Sequence, residues 1–78
     1  MKVITYAADR LFPNSLRWQK RFENAVTVGK LRVKCYIGGK IKIFIADEDL
    51  FLKVSKKLNL MSGYYNGCEQ AWVLTINK

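Results

Sequence analysis

The sequence predicts an α+β domain: an antiparallel sheet of four to five strands, with a central meander over about residues 22–46 and one or two helices packed on one face. Three observations predict it. Apolar and polar residues alternate through the middle of the chain, an amphipathic stretch opened by acids follows at 47–60, and a last apolar run lies at Trp72–Ile76. Period two marks a half-buried strand, and period 3.6 a half-buried helix. At 78 residues, half of them hydrophobic, the chain is expected to form a single domain over 1–78.

Residues 2–7 read as a short first strand, and Pro13-Asn14-Ser15 as a break. From Leu16 to Val28, the residues Leu16, Trp18, Phe22, Val26 and Val28 hold even positions, with Arg17, Gln19, Arg21, Glu23, Ala25 and Thr27 on odd ones. A helix fits part of the same segment, with Ser15 as cap and Trp18, Phe22, Ala25 and Val26 at helical spacing. The β-branched end, Val26-Thr27-Val28, disfavours a helix there. Strand is therefore expected from about residue 22 onward, and 14–21 is open between the two.

Gly29-Lys30 reads as a two-residue hairpin turn, which sets Val28 opposite Leu31 and Val26 opposite Val33. A second turn holds Gly38-Gly39. A two-residue loop there would put Cys35 opposite Lys42 and mix the faces. A three-residue loop, Gly38-Gly39-Lys40, pairs Ile37 with Ile41, Cys35 with Ile43 and Val33 with Ile45. A slip of one residue turns every side chain over, so the three-residue loop is expected.

Asp47-Glu48-Asp49 opens a helix to about Leu60, with Asp47 as cap and the acids at the positive end of the helix dipole. Leu50, Phe51, Val54 and Leu58 form its apolar stripe; Lys53, Lys56 and Lys57 lie on its solvent side. Asn59 and Gly63 can end it, Asn66-Gly67 is a turn, and Trp72–Ile76 is the last strand. If 14–25 is helical, the order becomes βαββαβ, a ferredoxin-like alternative.

The meander has two unlike faces. Val26, Val28, Leu31, Val33, Cys35, Ile37, Ile41, Ile43 and Ile45 share the side expected to be buried. The other side carries Thr27, Arg32, Lys34, Tyr36, Lys42 and Phe44, with Lys30 and Lys40 at the turns. The charge is gathered in the same stretch. The chain's formal net charge is +8, and residues 17–42 hold Arg17, Lys20, Arg21, Lys30, Arg32, Lys34, Lys40 and Lys42 against Glu23 alone. The flanking stretches nearly cancel: Lys2 and Arg10 against Asp9 before it, and Lys53, Lys56, Lys57 and Lys78 against Asp47, Glu48, Asp49 and Glu69 after it.

The totals narrow the chemistry. The chain has no histidine, so mechanisms needing an imidazole base drop out, and a structural zinc site lacks ligands. Gly38-Gly39 sits between strands and does not open a helix as a phosphate loop would. Cys35 and Cys68, the only cysteines, belong to no ligand motif; Cys35 reads as a small core residue and Cys68 as flanking a turn. Asp47-Glu48-Asp49, with Asp9, offers the one acidic set that could hold a divalent metal for phosphodiester cleavage; helix capping explains it more simply. No cofactor or resident metal is expected. No apolar run approaches the roughly 18 residues of a membrane span, and no signal segment is read at the start, so a cytoplasmic location, in a cell or an infected host, is the expectation.

A basic face with interleaved aromatics points to nucleic acid. Lysine and arginine contacts to phosphate give salt-dependent affinity, and exposed rings stack on bases. The expected site is Lys30, Arg32, Lys34, Tyr36, Lys40, Lys42 and Phe44, suited to single strands or unpaired RNA, with DNA and RNA both open. Tyr64 and Tyr65 read equally as loop stackers or as anchors of the last strand. The alternative partner is an acidic or nucleic-acid-handling protein surface, and the third reading is a small metal-dependent nuclease or toxin. In topology alone, the βαββαβ alternative resembles RNA-recognition modules. Lys40-Ile41-Lys42-Ile43-Phe44-Ile45 lacks the glycines and aromatic spacing of their third strand, so no residue role carries over. In size, compactness and lack of catalytic motifs the chain resembles small phage-encoded inhibitors of host defence, which would imply a protein partner.

Overall fold

A computed structural model describes residues 3–60 and 63–77. The elements are α1 (Val3–Leu11), α2 (Leu16–Thr27), β1 (Leu31–Cys35), β2 (Lys40–Ile45), α3 (Glu48–Leu58), β3 (Tyr64–Asn66) and β4 (Ala71–Asn77). The strands form one four-stranded sheet in the order β1-β2-β4-β3, with every neighbouring pair antiparallel. The helices cover one face of it: α1 and α2 lie against β1, and α3 against β2 and β4. The fold is thus α+β, as expected, but with three helices rather than one or two. The order ααββαββ and the absence of any parallel pair among the described strands exclude the ferredoxin-like alternative.

The first 27 residues correct the sequence reading most. The strand expected at 2–7 is helix α1 from Val3 onward; residue 2 lies outside the described residues. Ile4, Ala7, Ala8 and Leu11 recur at helical spacing and all pack into the core, and this tertiary stripe overrides the β-favouring Val3-Ile4-Thr5-Tyr6. Helix α2 replaces both the undecided 14–21 and the strand expected from 22. Ser15 caps it, its Oγ accepting from the Trp18 N–H at 3.3 Å. Phe22 and Ala25 are buried, with Trp18 and Val26 packed against them.

Gly29-Lys30 is the end of this helix, not a hairpin turn. Gly29 has φ +83, the Gly29 N–H donates to the Val26 carbonyl, and the Lys30 N–H donates to the Ala25 carbonyl. This is the helix-ending glycine motif, in which a left-handed residue lets the next amides reach back to free carbonyls. The pairs Val28–Leu31 and Val26–Val33 therefore do not form, and Val28 is exposed at the helix end.

The β1–β2 hairpin keeps its faces but not its register. Leu31 pairs with Ile45, Val33 with Ile43 and Cys35 with Ile41. The Tyr36 N–H donates to the Lys40 carbonyl at 2.8 Å, leaving Ile37-Gly38-Gly39 as the loop. The loop has three residues, as expected, but lies one position earlier. Gly38 and Gly39 both have positive φ, +95 and +87, which no β-branched residue adopts comfortably. The shift moves each pair by two, so Ile41, Ile43 and Ile45 still point to the core. It leaves Cys35 and Ile37, both expected to be buried, exposed at the open end.

The second half follows expectation. Asp47 Oδ1 accepts from the Asp49 and Leu50 N–H groups, so this carboxylate caps α3. Asn59, with φ +56, ends it by the same motif as Gly29. Val54 is buried, and Leu50, Phe51 and Leu58 pack beside it. Tyr64 and Tyr65 belong to β3, the short edge strand, and are tied by a hairpin to β4. Among the described residues, no helix is long and apolar enough to cross a membrane.

Candidate nucleic-acid interface

With the helices stacked on one side, the other side of the sheet is helix-free, and alternation decides what stands on it. Leu31, Ile41, Ile43, Ile45, Leu74 and Ile76 point to the helices. Their sequence neighbours point outward and line up across the strands. One row runs Arg32, Phe44, Val73, Tyr64; the next runs Lys34, Lys42, Thr75; the third begins with Lys40. At about 4.8 Å between strands, the first row spans roughly 14 Å.

This face has an apolar floor and a cationic cover. Phe44, Ala71 and Val73 form a small buried cluster. The Arg32 guanidinium lies 5.2 Å and the Lys34 ammonium 5.4 Å from the centre of the Phe44 ring. Such contacts contribute about 0.5–1 kcal/mol each at exposed sites. Phe44 is 7% exposed, so a base could reach its ring only by displacing both cations. The open ring on this face is instead Tyr64, at 52% exposure, with Tyr36 at 44% beside the hairpin tip.

Two of the expected cations have carboxylate partners. Arg32 Nη2 donates to Glu69 Oε2 at 2.8 Å, and this hydrogen bond and the guanidinium charge hold the Glu69 carboxyl below its ordinary pKa. Lys30 lies off the strand, 3.7 Å from Asp47 Oδ2. Lys34, Lys40 and Lys42 have no salt-bridge partner among the described residues. Lys34 and Lys42 are directly opposite each other, a like-charge pair that destabilises a sheet unless an anion sits between. Below them, Lys30, Arg32, Phe44, Cys68 and Glu69 border a shallow cleft of about 370 Å³.

The structure thus brings Arg32, Lys34, Lys40, Lys42 and Phe44 onto one face, sets Tyr36 at its end, and leaves Lys30 at its margin. No protein-family model, curated protein or solved structure matches this chain. The face is therefore read from its own geometry. Two of its members are not placed on this face by the sequence reading: Tyr64, which reads there as a loop stacker or a strand anchor, and Glu69, the counter-charge. Alternation through Ala71–Ile76 combined with the Asn66-Gly67 turn carries the first, because register then sets Tyr64 opposite Val73. Nothing local carries the second, since Arg32 and Glu69 are 37 residues apart.

The remaining cations of the 17–42 stretch lie elsewhere. Arg17, Lys20 and Arg21 are exposed on α2, whose buried side faces the sheet. The chain's concentration of charge is split by the layers into two surfaces. Both cysteines are free and exposed, which corrects the core reading of Cys35. The acids 47–49 are explained by the helix start, with Asp47 also facing Lys30.

Proposed function

We propose that the protein is a non-enzymatic nucleic-acid-binding domain that takes a single strand, or an unpaired stretch of RNA, on the helix-free face of its sheet. The opposed Lys34 and Lys42 carry the reading: they form a like-charge pair with no salt-bridge partner among the described residues, in the row beside a buried apolar cluster. Phosphate between them turns a repulsion into two attractions. Lys40 extends the track toward the hairpin tip, and Tyr64 offers a ring on which a base can stack. Phe44 acts from below, as the surface on which Arg32 and Lys34 rest.

The test is a titration of labelled single-stranded DNA and RNA oligonucleotides over a series of salt concentrations. Three phosphate contacts, from Lys34, Lys40 and Lys42, predict a log–log slope of about −2, at roughly −0.7 per contact. Duplex of the same sequence should bind more weakly. Affinity indifferent to salt, or no binding to either oligonucleotide, rejects the proposal.

A further inference from the structure

Packing accounts for the large buried side chains of this fold, but not for the residue at the tip of the β1–β2 hairpin. Ile37 is fully exposed and belongs to neither core cluster. The turn itself is made by Gly38 and Gly39, whose positive φ values reverse the chain. Nothing in that geometry asks for an apolar β-branched residue beside them, a type that turns use sparingly.

The tip is also the end of the cationic face. Tyr36 is bonded to Lys40 across the hairpin, so the two continue the outward row of Lys34 and Lys42, and Ile37 projects beyond them. A fully exposed apolar side chain thus follows half-exposed Tyr36 and faces exposed Lys40 across the turn, with the Lys34–Lys42 pair in the next row of the same hairpin. The crest is slim: a Cβ at Gly38 would meet nothing within 4 Å.

We propose that residues 36–39 are a base-contacting wedge. Ile37 inserts against the face of a base and separates it from its neighbour, while Lys40 and Lys42, further down the same hairpin, hold the adjoining phosphates. Apolar wedges that unstack base steps work in this way. The inference rests on the nucleic-acid reading and sharpens it. The ligand becomes a strand whose bases unstack cheaply, such as a single strand or an unpaired loop, rather than a uniform duplex.

The experiment uses the full chain and a single-stranded oligonucleotide carrying 2-aminopurine, whose fluorescence is quenched by stacking. Binding is followed separately by anisotropy. Wild type should raise the fluorescence at saturation. Ile37→Ser should bind within about threefold, since the lysines remain, yet leave the base quenched. Ile37→Phe should restore the rise. The substitution lies at a fully exposed position, and an unchanged melting temperature will show that the fold is intact. Equal unstacking by Ile37→Ser overturns the wedge, as does salt-dependent binding by wild type with no fluorescence change; that second outcome leaves the parent reading standing. No binding by wild type removes both. Sedimentation with vesicles containing about a fifth anionic lipid, lost in Ile37→Ser while the base stays stacked, would assign the tip to a lipid surface and overturn the proposal.

Discussion

The cations of residues 17–42 lie on two surfaces, and these are built differently. On α2, Arg17, Lys20 and Arg21 stand on the solvent side of a helix, near Glu23, and the Arg21 guanidinium lies 5.0 Å from the Trp18 ring. On the sheet, Lys34, Lys40 and Lys42 stand in rows set by strand register, and Lys34 reaches over the Phe44 ring of the cluster formed with Ala71 and Val73. Helix cations lean over their own element and are surrounded by water, which weakens their pull on an anion. Sheet cations project together from one face, beside an apolar cluster, so their fields add where a ligand would lie. The two groups are close in sequence, yet the sheet lies between them. Net charge is therefore a poor guide to the site; what counts is which cations share a face.

The strongest test of this contrast removes two charges from each surface in turn. Lys34→Ala/Lys42→Ala should lower affinity for a single strand about 25-fold in 0.1 M salt, and flatten the salt slope by about 1.4. Arg17→Ala/Lys20→Ala removes the same charge and should change affinity by no more than about twofold. Fluorescence anisotropy at matched salt decides it. Equal losses from the two variants would mean that the whole-protein field attracts the polyanion and that the sheet face has no special role.

A second comparison lies within the face. Tyr64 and Phe44 share a row but differ in access, one open and the other capped by Arg32 and Lys34. Tyr64→Ala should weaken binding about fivefold, toward the lower end of what one stacked base contributes. Phe44→Leu should leave affinity within about twofold, because its ring meets the cations and not the ligand, and should lower stability by about 1 kcal/mol. Anisotropy and urea denaturation on the same samples separate the two effects. A larger binding loss at Phe44 would show that the cations swing aside to admit a base.

The same contrast explains what the sequence disclosed. The second half was legible because its signals were local: Asp47 before an apolar stripe, Asn66-Gly67 before an alternating run. The first 27 residues were not, because β-branched and aromatic residues serve a helix equally well once a sheet covers one side of it. Gly29 was the decisive ambiguity. A glycine between apolar runs suits a hairpin or a helix end, and only the reach of its amides back to Val26 and Ala25 separates the two. That Arg32, Lys34, Lys42 and Phe44 share a face is legible because parity from Leu31 to Ile45 does not depend on what precedes it. Cys35 and Ile37 leave the core face because they sit at the end of the hairpin, where parity yields to the turn. Glu69 was invisible for another reason: an ion pair across 37 residues exists only once the sheet is assembled.

That ion pair supplies the smallest effect and the finest test. Glu69 accepts from the Arg32 guanidinium, a group whose geometry also suits phosphate. Both side chains are exposed, and pairs of this kind contribute little to stability. Glu69→Gln keeps the shape and frees the guanidinium, so affinity for a single strand should rise by about threefold, and the salt slope should steepen by about 0.7 as a further contact forms. The pH dependence has a definite sign. The carboxyl is held below its ordinary pKa by the Arg32 hydrogen bond, then by the Arg32 charge, with a lesser contribution from Lys34. The pair is therefore intact above the ordinary carboxylate range and is lost only as pH falls through the lowered value. Wild-type affinity should be flat with respect to this group near neutrality and rise only in acid, while Glu69→Gln should lack that rise. If the substitution instead weakens binding at neutral pH, Glu69 orients Arg32 for the ligand rather than competing with it, and the two cationic surfaces differ in preorganisation as well as in placement.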